Sequence, residues 1–594
     1  MRFKSGKVKG FQVFAVAGVN TVSFAVQASA AARKGLLGFA VERVDPKENE
    51  RYFMQGFKVF ASVIPNPDKN TRVSTFDHPV QSFVWDDFAA KPGRDYEYIF
   101  YPLRGKPLNL DRSAPPVSIK IKTEPLFSKF QHDVFFNRGV ASSQAYSRRF
   151  QNKPPNELPP AKQQAALDWL SRDLDEAILR FIRQTKNGDT LLCCFYEFRY
   201  RPVADEIKAA IDRGVDVRLI VDAKVNERTD NKGVFHASFP RLDNLATLAA
   251  AGIAADRVIL REARRNEIQH NKFMVRLKGQ NKQPAEVWTG STNMSTGSIH
   301  GQTNVGHWLR DATAARSYQA YWELLSGDPG GQAGDSSATV RQKNAALRAA
   351  VEALSDVPLN VTAIPVGITP VFSPRAGLEL LDLYVNLVDS ANTSACITLA
   401  FGVNQAFKEQ LKDNTSQSQI VFLLLEKKDQ PTPSNRDAFV TIDASNNVYK
   451  AWGSFLREPL YQWTKETNAK ALQLNQHVSY IHSKFLLRDP LGDDPIVVTG
   501  SANFSNASTK DNDENMIIIR GNRRVADIYF TEFNRLFNHY YFRSVVEATA
   551  AADPNTNEAN LFLKEKPEEW LVKYQPGKLR QKRVDLFVEM KGLG

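Results

Sequence analysis

The first residues of the chain alternate. Phe11, Val13, Ala15 and Ala17 occupy every second position, and β-branched residues follow. Side chains two apart on an extended backbone point to one face, so this spacing predicts a strand. Short runs of similar character recur at 35–43, 79–85 and 96–101, separated by turn formers such as Lys91-Pro92-Gly93. Short strands at such intervals predict a β-sandwich over residues 1–122. A proline-bearing stretch, Lys153 to Pro160, then marks 123–160 as a linker. Beyond it Leu167, Leu170, Leu174, Ile178 and Phe181 repeat at helical spacing, which predicts one helix from about Ala161 to Thr185.

From Thr190 the pattern is α/β. Leu191 to Phe195 reads as a buried strand, Val203 to Ile211 as a helix and Val217 to Val221 as a second strand. That order predicts a βαβ unit with a parallel sheet. It returns later, with strand Ala395–Phe401, helix Asn404–Leu411 and strand Ile420–Leu425. A Gly/Ser-rich loop, Gly327 to Ser337, separates the two passages. The expectation is a multidomain chain: a β-sandwich followed by a duplicated α/β fold with two pseudo-symmetric halves. The halves span 161–326 and 371–545, joined by a connecting segment, 327–370, and followed by a basic C-terminal extension, 546–594. In the first region the Pro-Gly turn before Tyr96-Glu97-Tyr98 resembles a fibronectin type III strand.

The 594 residues carry a net charge of +12 and a pI of about 9.3, a balance that suits polyanions such as nucleic acid or an anionic lipid surface. Three cysteines, two of them adjacent, form no disulfide framework and point to a reducing, cytoplasmic setting. The N-terminus also has the outline of a signal peptide. Arg2, Lys4, Lys7 and Lys9 precede the run Phe11 to Val26, and Ala28-Ser29-Ala30 resembles a cleavage site. Secretion would follow from that reading, but the alternation within the run favours a strand.

Two copies of one short pattern carry the chemistry. The first is His270-Asn271-Lys272 followed by Gly290-Ser291-Thr292-Asn293. The second is His482-Ser483-Lys484 with Asp489, followed by Gly500-Ser501-Ala502-Asn503. The histidines lie 212 residues apart and the asparagines 210. On a strand, His and Lys two residues apart share a face, so each copy can present both groups to one phosphate. This repeated signature resembles that of the phospholipase D superfamily over about residues 160 to 545.

The resemblance implies one site built from both motifs, with no metal and no cofactor. One imidazole attacks phosphorus to give a phosphohistidine. The other protonates the leaving oxygen and later activates water. Lys272 and Lys484 clamp the phosphate oxygens, Asn293 and Asn503 add hydrogen bonds, and Ser291 and Ser501 line the substrate position. A monomer can form such a site.

The halves differ. The second keeps Asp489 and an acidic ending at Glu514, whereas the first has Leu277, Gln302 and Asn304 at or near the corresponding places. Its form resembles the His-Lys-Asn motif of tyrosyl-DNA phosphodiesterases. A carboxylate beside His482 would favour the imidazolium, and an amide beside His270 would orient the ring without that shift. On this reading His270 is the nucleophile and His482, backed by Glu514, the general acid. Nucleic acid is the expected substrate, for a nuclease or end-processing phosphodiesterase. The alternatives are a phospholipase D or phosphatidyltransferase, and a nucleic-acid-binding scaffold with a decayed site. Arg261, Arg264 and Arg265, and Lys573, Lys578, Arg580, Lys582 and Arg583, are candidate backbone-tracking charges or solvated faces. The remaining histidines are expected to be structural.

Overall fold

The computed structural model describes the chain except 57, 68–70, 140–145, 147–148, 152, 154, 232, 265–266, 415–418, 432–437, 454–480, 553–561 and 594, and except the side chains of 542–552. Arg265 and His477 therefore lie outside the described residues.

The N-terminal strands are β1 (Arg2–Lys4), β2 (Phe11–Ala17), β3 (Val22–Ala28), β4 (Gly38–Asp45), β5 (Glu50–Phe53), β6 (Val84–Asp87), β7 (Asp95–Lys106), β8 (Asn109–Asp111) and β9 (Val117–Lys122). They form two antiparallel sheets. One has the order β1-β2-β3-β6 and the other β8-β7-β4-β5, with β9 also paired to β7. Aromatic side chains join the sheets: the Phe24 ring lies 4.7 Å from Tyr98 and 5.5 Å from Phe100. The apolar run from Phe11 is a hairpin of two buried strands, paired from Phe11–Ala28 to Ala17–Val22.

Two larger sheets follow, and they share one topology. The first contains β10 (His132–Phe136), β11 (Thr190–Phe195), β12 (Asp216–Asp222), β13 (Val258–Arg261), β14 (Lys272–Lys278), β15 (Gln283–Gly290) and β16 (Val305–Leu309). The second contains β17 (Gly367–Ser373), β18 (Ser394–Leu399), β19 (Ile420–Leu425), β20 (Val448–Trp452), β21 (Phe485–Arg488), β22 (Ile496–Gly500) and β23 (Glu514–Arg520). The orders are β10-β16-β15-β14-β11-β12-β13 and β17-β23-β22-β21-β18-β19-β20. Strands β11 and β19 are buried at every position, as their continuous apolar runs require.

Three expectations need correction. The sheets are mixed, not parallel: only β11-β12-β13 and β18-β19-β20 run parallel, and the His-Lys strands β14 and β21 join antiparallel. The helix expected over 161–185 is two, Pro160–Ser171 and Leu174–Arg183. Arg172 and Asp173 between them have positive φ, and Arg172 turns inward to the Phe136 carbonyl and Glu532. Residues 123–160 are more than a connector, because β10 within them completes the first sheet; likewise β17 begins inside 327–370.

The helix Arg523–Ala552 ties the regions together. Tyr529 packs 5.2 Å from both Phe136 and Phe485, one from each large sheet. Toward the N-terminal sheets, Thr21 Oγ1 donates to Glu532 and Arg2 pairs with Asp527 at 2.8 Å. A Cβ on Gly18 would meet Thr531 Oγ1 at 2.2 Å, so glycine permits that approach. The C-terminal helix Leu579–Val588 buries Val584, Leu586 and Phe587 in the same core. Among the described residues no helix is long and apolar enough to cross a membrane.

Candidate active site

Each histidine and its lysine stand at the entry to a strand, with Lys272 the first residue of β14 and Lys484 immediately before β21. Lys272 Nζ donates to the His270 carbonyl at 2.5 Å and Lys484 Nζ to that of His482 at 2.7 Å. The Gly-Ser steps follow from packing. A Cβ on Gly290 would meet the Val305 carbonyl oxygen at 2.3 Å, and one on Gly500 the Asn515 carbonyl oxygen at 2.2 Å. Their φ values of +136° and +157° also favour glycine. The next residue then donates its N–H to the neighbouring strand, Ser291 to Val305 at 3.0 Å and Ser501 to Asn515 at 2.8 Å.

The two halves exchange their orienting groups. His270 Nδ1 lies 2.9 and 3.0 Å from the carboxylate oxygens of Glu514, in the second half. His482 Nδ1 lies 2.8 Å from Asn304 Oδ1, in the first. This corrects the expected pairing, which put Glu514 behind His482 and an amide behind His270. The cause is a pair of parallel bridges between the halves, Gln269 with Asp513 and Thr303 with Ile481. Each bridge sets one half's histidine segment against the other half's ending. Asn304 cannot turn, because its Nδ2 donates to the Ser298 carbonyl at 2.8 Å, so Oδ1 faces the imidazole.

Ser291 and Ser501 are fully buried and do not line the substrate position. Ser291 Oγ donates to Asn304 Oδ1 at 2.8 Å and Ser501 Oγ to Glu514 at 2.5 Å, so each fixes the group that orients a histidine. Gln302 contributes its carbonyl to Asn137 Nδ2 at 2.7 Å rather than orienting a ring. Asp489 lies away from the histidines. Its carboxylate accepts from the N–H groups of Asn392, Thr393 and Ser394 and from the Asn392 and Thr393 side chains. The first half makes the same joint from the other side. There Asp189, just before β11, accepts from Gly279 N–H at 2.8 Å and from Arg276. Leu277 is therefore no catalytic loss.

The site is buried and sets two lysines beside its two histidines. Burial, then Lys272 and Lys484, push His270 well down; burial, then Lys484 and Lys272, do the same to His482. Burial takes Lys272 to about 8, and burial with Lys272 nearby holds Lys484 well below its usual range. Burial raises Glu514 to about 7 against the pull of Lys272. Each histidine thus feels both lysines, and a bound phosphate would restore the positive charge that burial removes.

Several site groups escaped the sequence reading. Asp222 accepts from Gln269 N–H at 3.1 Å, and Glu426, the corresponding residue after β19, accepts from Ile481 N–H at 2.7 Å. Both hold the backbone just before a histidine, and their matching places in the repeat were the available signal. Asn137 Oδ1 accepts from Asn304 N–H at 2.9 Å. The Tyr196 ring stands edge-on to His270 at 5.2 Å. Glu197 accepts from Asn293 Nδ2 at 3.0 Å. Arg261 and Arg264, candidates for backbone tracking or for a solvated face, are neither: both are buried and pair with Asp513, with Asp328 also on Arg261. Of the other histidines, His132 and His307 share a 2.9 Å hydrogen bond that continues to Tyr529.

Two like α/β halves that each give a His-Lys pair to one pocket, and each orient the other's imidazole, define a fold of the phosphodiester-active, two-histidine class. The chain belongs to the phospholipase D-like family: the family model described as cardiolipin synthase, PLD-like domain, matches residues 178–325 and again 384–537, just over half of the chain. Similar solved structures include the phosphatidylserine synthase of Haemophilus influenzae, at 12% identity over 66% of this chain and 94% of that one, with a TM-score of 0.42. The Nuc protein of Salmonella typhimurium is similar at 22% identity over 25% of this chain and 84% of its own, with a TM-score of 0.19. A yeast tyrosyl-DNA phosphodiesterase mutant is similar at 11% identity over 60% and 89%, with a TM-score of 0.30. No curated protein matches the sequence.

Proposed function

We propose that the protein is a metal-independent phosphodiesterase that acts through a phosphohistidine on His270, with nucleic acid as substrate. The crossed pairing of the histidines carries this reading. A phosphoryl group on Nε2 leaves the ring protonated at Nδ1 and cationic. Glu514 against that proton stabilises the cation, whereas the neutral amide of Asn304 behind His482 does not. His270 Nε2 attacks phosphorus, and the P–O bond to the leaving group breaks. The leaving oxygen takes a proton from His482. His482 then takes a proton from water, whose oxygen displaces His270. Lys272 and Lys484 neutralise the non-bridging oxygens, with Asn503 as a further donor. His270 remains the nucleophile and His482 the acid, although Glu514 serves His270 and not His482.

Charge supports nucleic acid. Lys58, Lys564, Lys573 and Arg580 crowd one another near the N-terminal sheets; burial, then these neighbours, bring Lys58 down to about 8. Such a cluster suits a phosphate backbone. In this reading the N-terminal strands are a β-sandwich of the fibronectin type III kind that braces the helix Arg523–Ala552. One observation favours a phospholipid instead. Val225, Val234, Phe235 and Leu242 are exposed on the segment that follows β12, whose last residue, Asp222, accepts from Gln269 N–H. The deciding assay incubates the full chain in EDTA with single- and double-stranded DNA, RNA and phosphatidylcholine vesicles. Consumption of a nucleic acid supports the proposal. Cleavage of lipid alone transfers the same chemistry to the second reading, and activity restored only by added magnesium or manganese overturns the mechanism.

A further inference from the structure

The two motif asparagines are not alike. Glu197 is buried, and Arg199 engages its Oε2 through Nε at 3.1 Å and Nη2 at 3.0 Å. Its Oε1 accepts from Asn293 Nδ2 at 3.0 Å. A carboxylate held by arginine accepts from the amide nitrogen, which fixes which end of the Asn293 amide faces it. The other end, Oδ1, is left as an acceptor in the pocket. Asn293 is 2% exposed, and this oxygen has no hydrogen-bond partner among the described residues. A buried acceptor without a donor is costly, and a ligand that supplies the donor relieves that cost.

The second half lacks this lock. Glu197 stands two residues beyond the end of β11, and the residue two beyond the end of β18 is Phe401, which is 61% exposed. Asn503 Oδ1 is likewise without a partner among the described residues, but no carboxylate among them holds its amide, so Asn503 can turn Nδ2 toward a phosphate oxygen. Asn293 cannot. A phosphodiester monoanion has no hydrogen to give to Oδ1, so the donor must come from elsewhere in the substrate.

We propose that Glu197 and Asn293 form a subsite for a hydroxyl group carried by the part of the substrate that stays on phosphorus. This rests on the phosphodiesterase reading above. In an in-line displacement the attacking His270 nitrogen and the leaving oxygen lie on the reaction axis. The retained ester oxygen lies beside the two non-bridging oxygens, where the motif lysines and asparagines converge. A hydroxyl a few bonds beyond that ester oxygen donates to Asn293 Oδ1. Asn293 is thus the contact and Glu197 the positioning residue that keeps its oxygen turned inward. Such a subsite suits a sugar- or glycerol-bearing phosphodiester and disfavours a plain alkyl one.

A matched pair of probes tests this on the full-length protein: 3-hydroxypropyl p-nitrophenyl phosphate and propyl p-nitrophenyl phosphate. Both release p-nitrophenolate and leave the other group on phosphorus. The wild-type protein should prefer the hydroxypropyl ester by roughly 10- to 100-fold in kcat/KM. Glu197→Gln should bring that ratio close to one, chiefly by slowing the hydroxypropyl ester, because a neutral amide no longer dictates the Asn293 orientation. A merely structural role for Glu197 would slow both esters alike and keep the ratio. Equal wild-type rates, or a ratio that survives Glu197→Gln, overturn the subsite and leave the phosphodiesterase standing. If neither ester puts a phosphoryl group on His270 of the wild-type protein by mass spectrometry, the phosphodiesterase reading falls and the subsite with it.

Discussion

The two α/β halves have the same strand order and different chemistry at matched places. One ends in Asn304 and the other in Glu514; one has Leu277 where the other has Asp489. Taken half by half, the first looks like a worn copy of the second. The geometry reverses that impression. Glu514 serves the first half's histidine and Asn304 the second's. The joint that Asp489 makes in one half is made by Asp189 in the other. A residue missing from a repeat is a functional loss only if its partner goes unserved, and here each partner is served from another strand or the other half.

The largest expected effect separates the two histidines. His270→Ala should abolish the phosphoenzyme and cost roughly 10^4-fold or more in kcat. His482→Ala should still accumulate the adduct from a p-nitrophenyl ester, whose leaving group needs little protonation. Mass-spectrometric mapping decides the matter, and an adduct on His482 would exchange the roles of the halves.

Next come the orienting groups. With a p-nitrophenyl ester, Glu514→Gln should slow phosphoenzyme formation, and Asn304→Ala chiefly its breakdown, each by about 10^2-fold. Pre-steady-state kinetics of the two steps would show the crossing directly. If Glu514→Gln affected only breakdown, the pairing would be wrong.

The two versions of the joint make a smaller contrast. Asp489→Leu removes a carboxylate that accepts from three backbone N–H groups, and should lower stability by about 2–3 kcal/mol in chemical denaturation. Leu277→Asp should not raise activity, because Leu277 is 2% exposed in the apolar core. A gain in kcat from Leu277→Asp would show that the first motif had truly decayed.

The smallest effect is in pH. Lys272 loses its proton as pH rises through about 8. Anion affinity should therefore decline modestly as Glu514 ionises near pH 7 and fall more steeply above 8, by up to about tenfold per pH unit. Calorimetric titration with tungstate across pH 6.5 to 9.5 measures it, and binding that strengthens above pH 8 would contradict a cationic clamp.

Much of this architecture was visible in the chain. The strands Leu191–Phe195 and Ile420–Leu425 are continuous apolar runs because both faces are covered, and continuous runs are easy to see. The His-Lys pairs were visible because they repeat. The exchange of Asn304 and Glu514 was not, because it depends on bridges between segments more than 170 residues apart, and no local pattern encodes them. The break at Arg172 was hidden for a related reason. Leucines on either side keep helical spacing, while the turn is dictated by Glu532, which lies on a different element. Arg261 and Arg264 read as surface charge because the chain does not announce that Asp513 will cover them.

The long helix that meets all three regions has a consequence for how this protein can be divided. Its Thr21 and Arg2 contacts, the Gly18 approach and the rings around Tyr529 put the first strands and both large sheets in one continuous core. Each α/β unit keeps a core of its own, yet both share a further one with the first strands through this helix. Excising one unit would strip one side of the helix of its cover, leaving apolar surface that invites aggregation. The repeat is a unit of pattern, while the cover of the helix is shared among all three regions.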